Sequence, residues 1–217
     1  MLNDPNIRFY AGCPLSAPNG DKLGTLCIID SKPRELNKED YEALQDLAAT
    51  VERELAAVQL ATFDELTGIS NRRGFMMLAE HSLHLCKVNK LDASLIFLDL
   101  DKLKAINDNF GHAEGDKTLA TFADLMKEAY RESDLFARLG GDEFVVLLSN
   151  ASRQTAEAVV QRFGEHLDKF NHDSDQGYSI NFSYGIVEFD AKKHCSVGDL
   201  LADGDQLMYE TKLSKAS

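Results

Sequence analysis

The chain has 217 residues, a formal net charge of −13 and a pI of about 4.8, which disfavours nucleic acids and anionic membrane surfaces as partners because both would repel it. This length is enough for one complete domain and part of another. No apolar run approaches the ~20 residues of a membrane span, and no signal peptide is visible. The four cysteines lack the spacing of a metal site. We therefore expect a cytoplasmic protein with reduced thiols.

The first 36 residues predict two strands and a hairpin. One strand covers residues 6–15, Asn19-Gly20 is a hairpin signal, and a second strand covers residues 23–30. The sequence F-Y-A-G-x-P-L, followed by L-G-T-L-C-I-I-D, resembles the closing strands of a GAF sensor domain. Only about the last third of such a domain would be present, and so short a segment buries little core. We therefore expect residues 1–36 to be a partial sensor segment of a longer protein.

A long helix is predicted over residues 37–62, with Asn37 as its N-cap. Its apolar residues step by alternating threes and fours, which predicts a parallel two-stranded coil and a homodimer. The alternative is a single amphipathic helix that packs on its own domain, as Leu47 and Leu60 would favour. The predicted seam consists of Tyr41, Leu44, Ala48, Val51, Leu55, Val58 and Thr62.

Residues 63–217 alternate between helical and strand patterns, which predicts an α/β (α+β) domain with a mostly antiparallel central sheet. The predicted elements are a helix at 72–89, a strand at 94–100, a short polar helix after it, a helix at 113–130, a hairpin pairing 135–138 with 144–149, a helix at 152–170, a strand at 179–189 and a helix at 198–213.

The apolar strand 94–100 ends abruptly in carboxylates. Asp99 and Asp101 are two residues apart and would share one face of an extended strand. A charge at the end of a buried strand is costly unless it is paired or holds a metal. Farther along, Asn107 and Asp116 offer groups that suit guanine, because a carboxylate can accept hydrogen bonds from both its N1–H and its exocyclic amine.

A second carboxylate pair follows two glycines, in the sequence Gly140-Gly141-Asp142-Glu143. Paired glycines permit a positive φ and let a ligand approach the backbone. Carboxylates at the entrance of the next strand are hard ligands suited to Mg²⁺. The alternative is an ordinary Gly-Gly hairpin with solvated acids.

These segments resemble the GGDEF family, the diguanylate cyclases, from about Asp64 to Lys212. Five motifs occur in the family's order and spacing, which makes the resemblance very specific. They are D-E-L-T-G-I-S-N-R-R from Asp64, D-L-D-K-L-K-A-I-N-D-N-F-G-H-A-E-G-D from Asp99, the turn G-G-D-E-F, S-Y-G-I from Ser183, and M-Y-E-T-K ending at Lys212.

The resemblance implies a palm-like, ferredoxin-type sheet flanked by helices, as in nucleotidyl cyclases. Metals would lie at the edge of the sheet, where the end of strand 94–100 meets the hairpin. The implied reaction condenses two GTP molecules into cyclic di-GMP with release of two pyrophosphates, between two domains that each hold one GTP. Such transfers depend on positioning and on charge neutralisation, here by Mg²⁺ or alternatively Mn²⁺.

The resemblance also implies roles for individual residues. Lys104 could instead be a solvated helix residue, His112 could simply close a turn, and Asp101 is expected to be structural. Asp142 matches the family's proton acceptor, although a metal-bound carboxylate is a poor base. The implied metal ligands are Asp99, the Leu100 carbonyl, Asp142 and Glu143, and the last two are also the implied catalytic acids. The guanine-binding positions are matched by Asn107 and Asp116, with His112 nearby. The phosphate contacts are matched by Lys104 and Lys212, and the Gly140–Gly141 backbone would lie under the phosphates.

Two further comparisons with the family concern regulation and the end of the sequence. Arg131-Glu132-Ser133-Asp134 matches the R-x-x-D inhibitory site, five residues before the turn, and implies product feedback inhibition. After Lys212 the family continues into a Gly-Arg-Asn segment, whereas this sequence has L-S-K-A-S. We therefore expect weaker activity, unless Lys215 supplies the missing charge.

Two functions remain open from the sequence. The first is an active, dimeric diguanylate cyclase, with residues 63–217 as its catalytic domain and residues 37–62 as a signalling helix. The second is a non-catalytic module that binds cyclic di-GMP or a protein partner. The presence of Asp99, Asp142 and Glu143 favours the enzyme, because degenerate relatives typically lose one of these acids.

Overall fold

The computed structural model describes residues 6–131 and 133–216. The chain divides into two compact units, Met1–Ala61 and Thr62–Ser217. Within the described residues, none of the helices combines the length and apolar character that crossing a membrane would require.

The first unit begins with the predicted hairpin. Strands β1 (Phe9–Ser16) and β2 (Lys22–Asp30) pair antiparallel, with Phe9 opposite Asp30. The connecting turn closes with a hydrogen bond from the Gly20 N–H to the Ala17 carbonyl, and Gly20 has a φ of 91°. That left-handed conformation explains the glycine of the Asn-Gly pair.

Helix α1 (Lys38–Thr62) begins where the predicted cap places it. The side chain of Asn37 accepts a hydrogen bond from the Asp40 N–H, and the Asp40 carboxylate accepts one from the Asn37 N–H. This reciprocal pair satisfies backbone donors that the first helical turn leaves unpaired. Along the predicted seam, Leu44 and Ala48 are buried, whereas Leu55 is exposed. The two halves of the seam therefore differ in their environment within one chain.

The second unit is a five-stranded sheet covered by helices, in the strand order β3-β5-β6-β4-β7. All neighbouring strands are antiparallel except β3 and β5, which are parallel. The α+β architecture expected from the sequence is confirmed, and β3 is a short addition to it. The elements are β3 (Ser70–Asn71), α2 (Arg72–Asn89), β4 (Ala93–Leu100), α3 (Leu103–Phe110), α4 (His112–Ala129), β5 (Leu135–Gly140), β6 (Glu143–Ser149), α5 (Arg153–Asp173), β7 (Phe182–Glu188) and α6 (Val197–Ala216).

Strand β4 is an interior strand, and every one of its residues is buried. Ile96 and Leu98 belong to one apolar core, which also includes residues of α4 and α5. Leu95 and Phe97 belong to a second core with residues of α2 and α6. A continuous apolar run is the pattern of a strand covered on both faces. Asp99 lies two residues after Phe97 and four after Leu95, so its side chain shares their face of the strand and points to the α2/α6 side.

Helix α6 lies close to the sheet because two glycines leave room for it. A Cβ at Gly185 of β7 would lie 2.4 Å from the Met208 N and 2.5 Å from the Gly204 O. A Cβ at Gly204 would lie 2.9 Å from Leu95 Cδ2. A side chain at 185 would therefore require a shift of the helix backbone, and one at 204 would require a shift of the helix or of the Leu95 side chain. The glycines thus set how closely the middle of α6 packs on β4 and β7.

Candidate active site

The two strands that carry the candidate metal ligands are paired in register. Asp99 on β4 lies opposite Glu143 on β6, and Ser183 on β7 lies on its other side. Residues directly opposite each other in an antiparallel pair point to the same face, with Cβ atoms about 5 Å apart. The carboxylates therefore meet at the end of an interior strand, which places the site at the strand ends of the sheet rather than along an edge strand.

The glycine turn before β6 is tied to the end of β4. The Leu100 N–H donates to the Asp142 carbonyl, with an N···O distance of 3.0 Å. Gly140 and Gly141 have φ values of 149° and 55°. A Cβ at either glycine would meet no atom within 4 Å, so the backbone conformation rather than crowding requires glycine here. The open space above the turn agrees with a backbone that a ligand can approach.

Burial and neighbouring carboxylates make this a costly place for negative charge. Burial raises the pKa of Asp99 above its ordinary value, and Asp142 and Asp101 raise it further, although a hydrogen bond from Lys212 opposes them. Burial likewise raises the pKa of Glu143, together with the charges of Asp205, Asp142 and Asp99, while Arg72 opposes the shift. A cation in this cluster would relieve the repulsion.

The residues present have the chemistry of an Mg²⁺ site, since carboxylate and carbonyl oxygens are the ligands that this ion prefers. Among the residues that the structure describes, however, no three His, Cys, Asp or Glu side chains converge closely enough to hold a metal by themselves. Mg²⁺ usually retains waters and is held by one or two carboxylates together with substrate phosphates. The donor set therefore fits a divalent metal that binds weakly to the protein alone and more tightly together with a nucleotide.

Lys212, on α6, reaches the same cluster. Its Nζ lies 2.5 Å from Asp99 Oδ1. The Asp99 side chain is 9% exposed and that of Lys212 is 40% exposed, so the lysine approaches a buried carboxylate from the solvent side. Asp101, by contrast, accepts a hydrogen bond from Ser183 Oγ at 2.8 Å. This contact supports the structural role expected of Asp101.

The candidate guanine-binding residues lie on α3 and on the first turns of α4. A Cβ at Gly115 would lie 1.8 Å from Asn107 Oδ1, so the Asn107 side chain occupies the space that a side chain at 115 would need. Asp116 follows directly in sequence, and His112 lies one turn earlier as the first residue of α4; both are exposed. The observed position of the Asn107 side chain thus requires glycine at 115, a requirement that sequence analysis did not single out.

A cavity of about 700 Å³ opens beside Lys212, between α3 and the segment 178–183. The rings of Phe110 and Tyr178 pack in its wall with centroids 5.1 Å apart. The residues that line it include Asp101 and Lys212. Neither Asn107 nor Asp116 lines it, and the exposed Lys104 on α3 does not either. The candidate guanine-binding residues Asn107 and Asp116 therefore lie outside this cavity.

Arg138 holds the glycine turn in place, a role that sequence analysis missed. Its Nε and Nη2 donate to the Gly141 carbonyl at 3.0 and 2.9 Å, and its Nη1 donates to Asp64 at 3.1 Å. The Asp64 carboxylate also accepts hydrogen bonds from the N–H and hydroxyl of Thr67. The first motif and the turn are therefore one connected unit. The position of Arg138 two residues before the glycine pair was the available signal.

Arg131 and Asp134 lie together in the connection between α4 and β5. The Asp134 carboxylate accepts a hydrogen bond from the Arg131 N–H at 3.0 Å, and the Asp134 N–H donates to the Arg131 carbonyl. Glu132, between them, lies outside the described residues, as does the side chain of Lys215. Arg131 is exposed, which leaves its guanidinium accessible from solvent.

Comparison with known proteins identifies the family. The model described as "Diguanylate cyclase, GGDEF domain" matches residues 61–217. The chain belongs to the GGDEF family. A GAF domain model matches residues 1–55, and this match extends into α1. The resemblance inferred from the five motifs is confirmed.

Relatives and solved structures of this GGDEF protein agree with the assignment. "Probable diguanylate cyclase DgcE" of Escherichia coli is 30% identical over 94% of this chain, and "Diguanylate cyclase DgcP" of the same organism is 28% identical over 96%. The chain spans only 17% and 65% of the lengths of these two relatives. The GGDEF domain of TpbB (YfiN) from Pseudomonas aeruginosa is 32% identical, with a TM-score of 0.63 over 70% of this chain and 89% of that one.

The fold extends to more distant structures. The coiled coil and GGDEF domain of DgcB from Caulobacter crescentus, solved in complex with c-di-GMP, gives a TM-score of 0.70 over 80% of this chain and 94% of that one. At 22% identity this likeness shows the fold alone. The sequence-based roles of individual residues stay predictions.

Proposed function

We propose that this chain is a diguanylate cyclase that condenses two GTP molecules into cyclic di-GMP and two pyrophosphates with Mg²⁺ or Mn²⁺. The observation that carries the proposal is the pairing of Asp99 with Glu143 across β4 and β6, directly beside the glycine turn. Family membership, with all three acids of the motif present, supports it. A receptor would have no need for this costly cluster of carboxylates at the strand ends.

The proposed metal ligands are Asp99, the Leu100 carbonyl, Asp142 and Glu143. When bound, Mg²⁺ would supply charge neutralisation for the phosphates during the displacement. In each of two reciprocal displacements, the 3′-oxygen of one GTP loses its proton and forms a bond to the α-phosphorus of the other, and the bond from that phosphorus to pyrophosphate breaks. Asp142 would serve as a metal ligand or as the acceptor of the hydroxyl proton, since a carboxylate engaged by metal is a poor base.

The proposed substrate contacts follow the same geometry. Asn107, on α3, and Asp116, on the first turns of α4, would bind the guanine edge with His112 beside them. Lys212 and Lys104 would contact phosphates. The open backbone of Gly140 and Gly141 would lie beneath the phosphates.

Because one site holds one GTP, the reaction requires two chains. We propose that α1 mediates a homodimer, since Leu55 and Val58 of the predicted seam are 39% and 54% exposed. The burial of Leu44 and Ala48 favours pairing through the second half of the helix. In this proposal residues 1–36 are the last part of a sensor domain. A signal from that sensor would act through residues 37–62 and change the distance between the two catalytic domains.

The four free cysteines and a GTP substrate support a cytoplasmic location.

The purified chain incubated with GTP and Mg²⁺ is expected to form cyclic di-GMP, identified by chromatography and mass. ATP should give no cyclic product, because adenine lacks guanine's N1–H and 2-amino group, the two donors from which Asp116 would accept hydrogen bonds. Chelation with EDTA should stop product formation, and Mn²⁺ should restore it. If two chains form the site, the rate per chain should fall when the protein is diluted to concentrations below the dissociation constant of the dimer.

The absence of product at high protein concentration, after bound nucleotide is stripped, would contradict the cyclase proposal. Tight cyclic di-GMP binding under those conditions would favour the alternative, a non-catalytic receptor. A rate per chain that does not change on dilution, with a monomer by light scattering, would contradict dimerisation alone.

We also propose product feedback inhibition through Arg131 and Asp134. The exposed Arg131 fork can bind phosphate or a guanine edge, and Asp134 is held beside it by the backbone contacts of the turn. Arg131→Ala is expected to raise the cyclic di-GMP concentration needed for half inhibition by about tenfold or more, measured in steady-state assays. The exposed Arg73→Ala serves as control. Unchanged product binding and an unchanged steady-state rate in Arg131→Ala would dismiss this site.

A further inference from the structure

We propose that Lys212 and a divalent cation compete for Asp99, so that the lysine neutralises this carboxylate until a metal arrives and displaces it. The inference rests on the proposed metal site and adds a second role for Lys212. In this view the lysine passes from the carboxylate to the phosphates that enter with the metal.

The geometry places both cations on the same atom. Lys212 Nζ lies 2.5 Å from Asp99 Oδ1, at hydrogen-bond distance. Asp99 faces Glu143 across the strand pair, where the metal is proposed to bind. Among the ion pairs of residues 6–131 and 133–216, this is the one that includes a proposed metal ligand. A metal that takes Oδ1 must therefore break the bond to Lys212.

The energetics favour an exchange of cations over a vacant carboxylate. An almost fully buried carboxylate without a counter-charge is strongly destabilising. Lys212 provides one positive charge, whereas Mg²⁺ or Mn²⁺ provides two in a cluster that also contains Glu143 and Asp142. In the absence of metal the lysine thus stabilises the fold, and its removal makes the same site more receptive to a divalent cation.

The exchange requires no movement of the helix. The backbone of α6 is held against the sheet by the close contacts at Gly185 and Gly204. The Lys212 side chain is 40% exposed and has a flexible four-carbon stem, so its ammonium group can turn towards solvent or towards a bound phosphate. Rotation of the Lys212 side chain on a fixed helix backbone is therefore sufficient for the exchange of cations.

Mn²⁺ binding without nucleotide, followed by electron paramagnetic resonance, tests the competition directly. Lys212→Met is expected to bind Mn²⁺ about five- to tenfold more tightly than the parent. Lys169→Met is the matched control, since it removes the same charge from an exposed position on α5 outside the proposed site, and it should change Mn²⁺ affinity by less than about twofold. Without metal, the melting temperature of Lys212→Met should be lower than that of the parent. Addition of Mn²⁺ should raise the melting temperature of Lys212→Met by more than that of the parent.

A double-mutant cycle guards against a merely structural effect. In an Asp99→Asn background the buried charge is absent, so Lys212→Met should then cost little stability. Equal Mn²⁺ affinity in the parent and Lys212→Met would overturn the competition and leave the proposed metal site intact. Absence of Mn²⁺ binding to both proteins without nucleotide would overturn the competition alone if Mn²⁺ still binds in the presence of GTP. Absence of binding in the presence of GTP as well would overturn the metal site too.

Discussion

Glu143→Gln is expected to lower the rate of cyclic di-GMP formation by about three orders of magnitude, equivalent to about 4 kcal/mol of transition-state stabilisation. The substitution preserves size and shape but removes an anionic oxygen donor opposite Asp99. The rate is measured at saturating GTP and Mg²⁺. Glu188→Gln, an exposed residue at the far end of β7, is the matched control and should leave the rate unchanged.

The same variant should be at least as stable as the parent at neutral pH. Burial first, and then Asp205, Asp142 and Asp99, raise the pKa of Glu143 in the folded protein. A raised carboxyl pKa contributes stability that is present below the unfolded value of about 4.3 and is lost as the pH rises through the folded value. Gln lacks this loss, so urea unfolding should favour the variant increasingly as the pH rises above about 4.3.

Two results would contradict this account of Glu143. Retention of more than about a tenth of the parental rate would show that the carboxylate is not needed at the reacting phosphate. A loss of activity accompanied by a large loss of stability would indicate that Glu143 supports the fold and not the chemistry.

Arg138→Met is expected to destabilise the protein by about 3 kcal/mol. The guanidinium makes two hydrogen bonds to the Gly141 carbonyl and pairs with Asp64, and the two side chains are only 13% and 24% exposed. Methionine keeps much of the apolar stem but leaves the carbonyl and the carboxylate without these partners. Urea unfolding at pH 7 measures the effect, with the exposed Arg73→Met as control.

The pH dependence of this destabilisation has a definite sign. Burial tends to raise the pKa of Asp64, but hydrogen bonds from Thr67 and Arg138 outweigh it and the pKa is lowered. Such a group contributes stability above its unfolded value of about 3.9, and the contribution is lost as the pH falls through the folded value. The stability difference between the parent and Arg138→Met should therefore shrink as the pH falls below about 4.

The turn should also lose its alignment in Arg138→Met. A misplacement of about 1 Å can cost about 100-fold in rate, so we expect a decrease of that order in cyclic di-GMP formation by the folded variant. Full activity with parental stability would show that the Leu100–Asp142 backbone bond alone holds the turn.

Local patterns predicted most of the elements. The helix at residues 72–89 matches α2, because apolar periodicity reports which face of a helix is buried. Asn37 was placed correctly as a cap, because its bonds to Asp40 are made within one turn. The two-residue strand β3 was not predicted, because its pairing with β5 depends on residues far away in the chain.

The sequence by itself determined the family, the alternation of helices and strands, and the carboxylates and glycines of the candidate site, since motifs and turn chemistry are local properties. Only the tertiary structure decided that Asp99 faces Glu143, that Lys212 reaches Asp99 across 113 positions, and that Arg138 ties Asp64 to the turn across 74. Strand register and contacts between distant side chains depend on how the whole sheet and its helices pack, and no short segment of sequence carries that information.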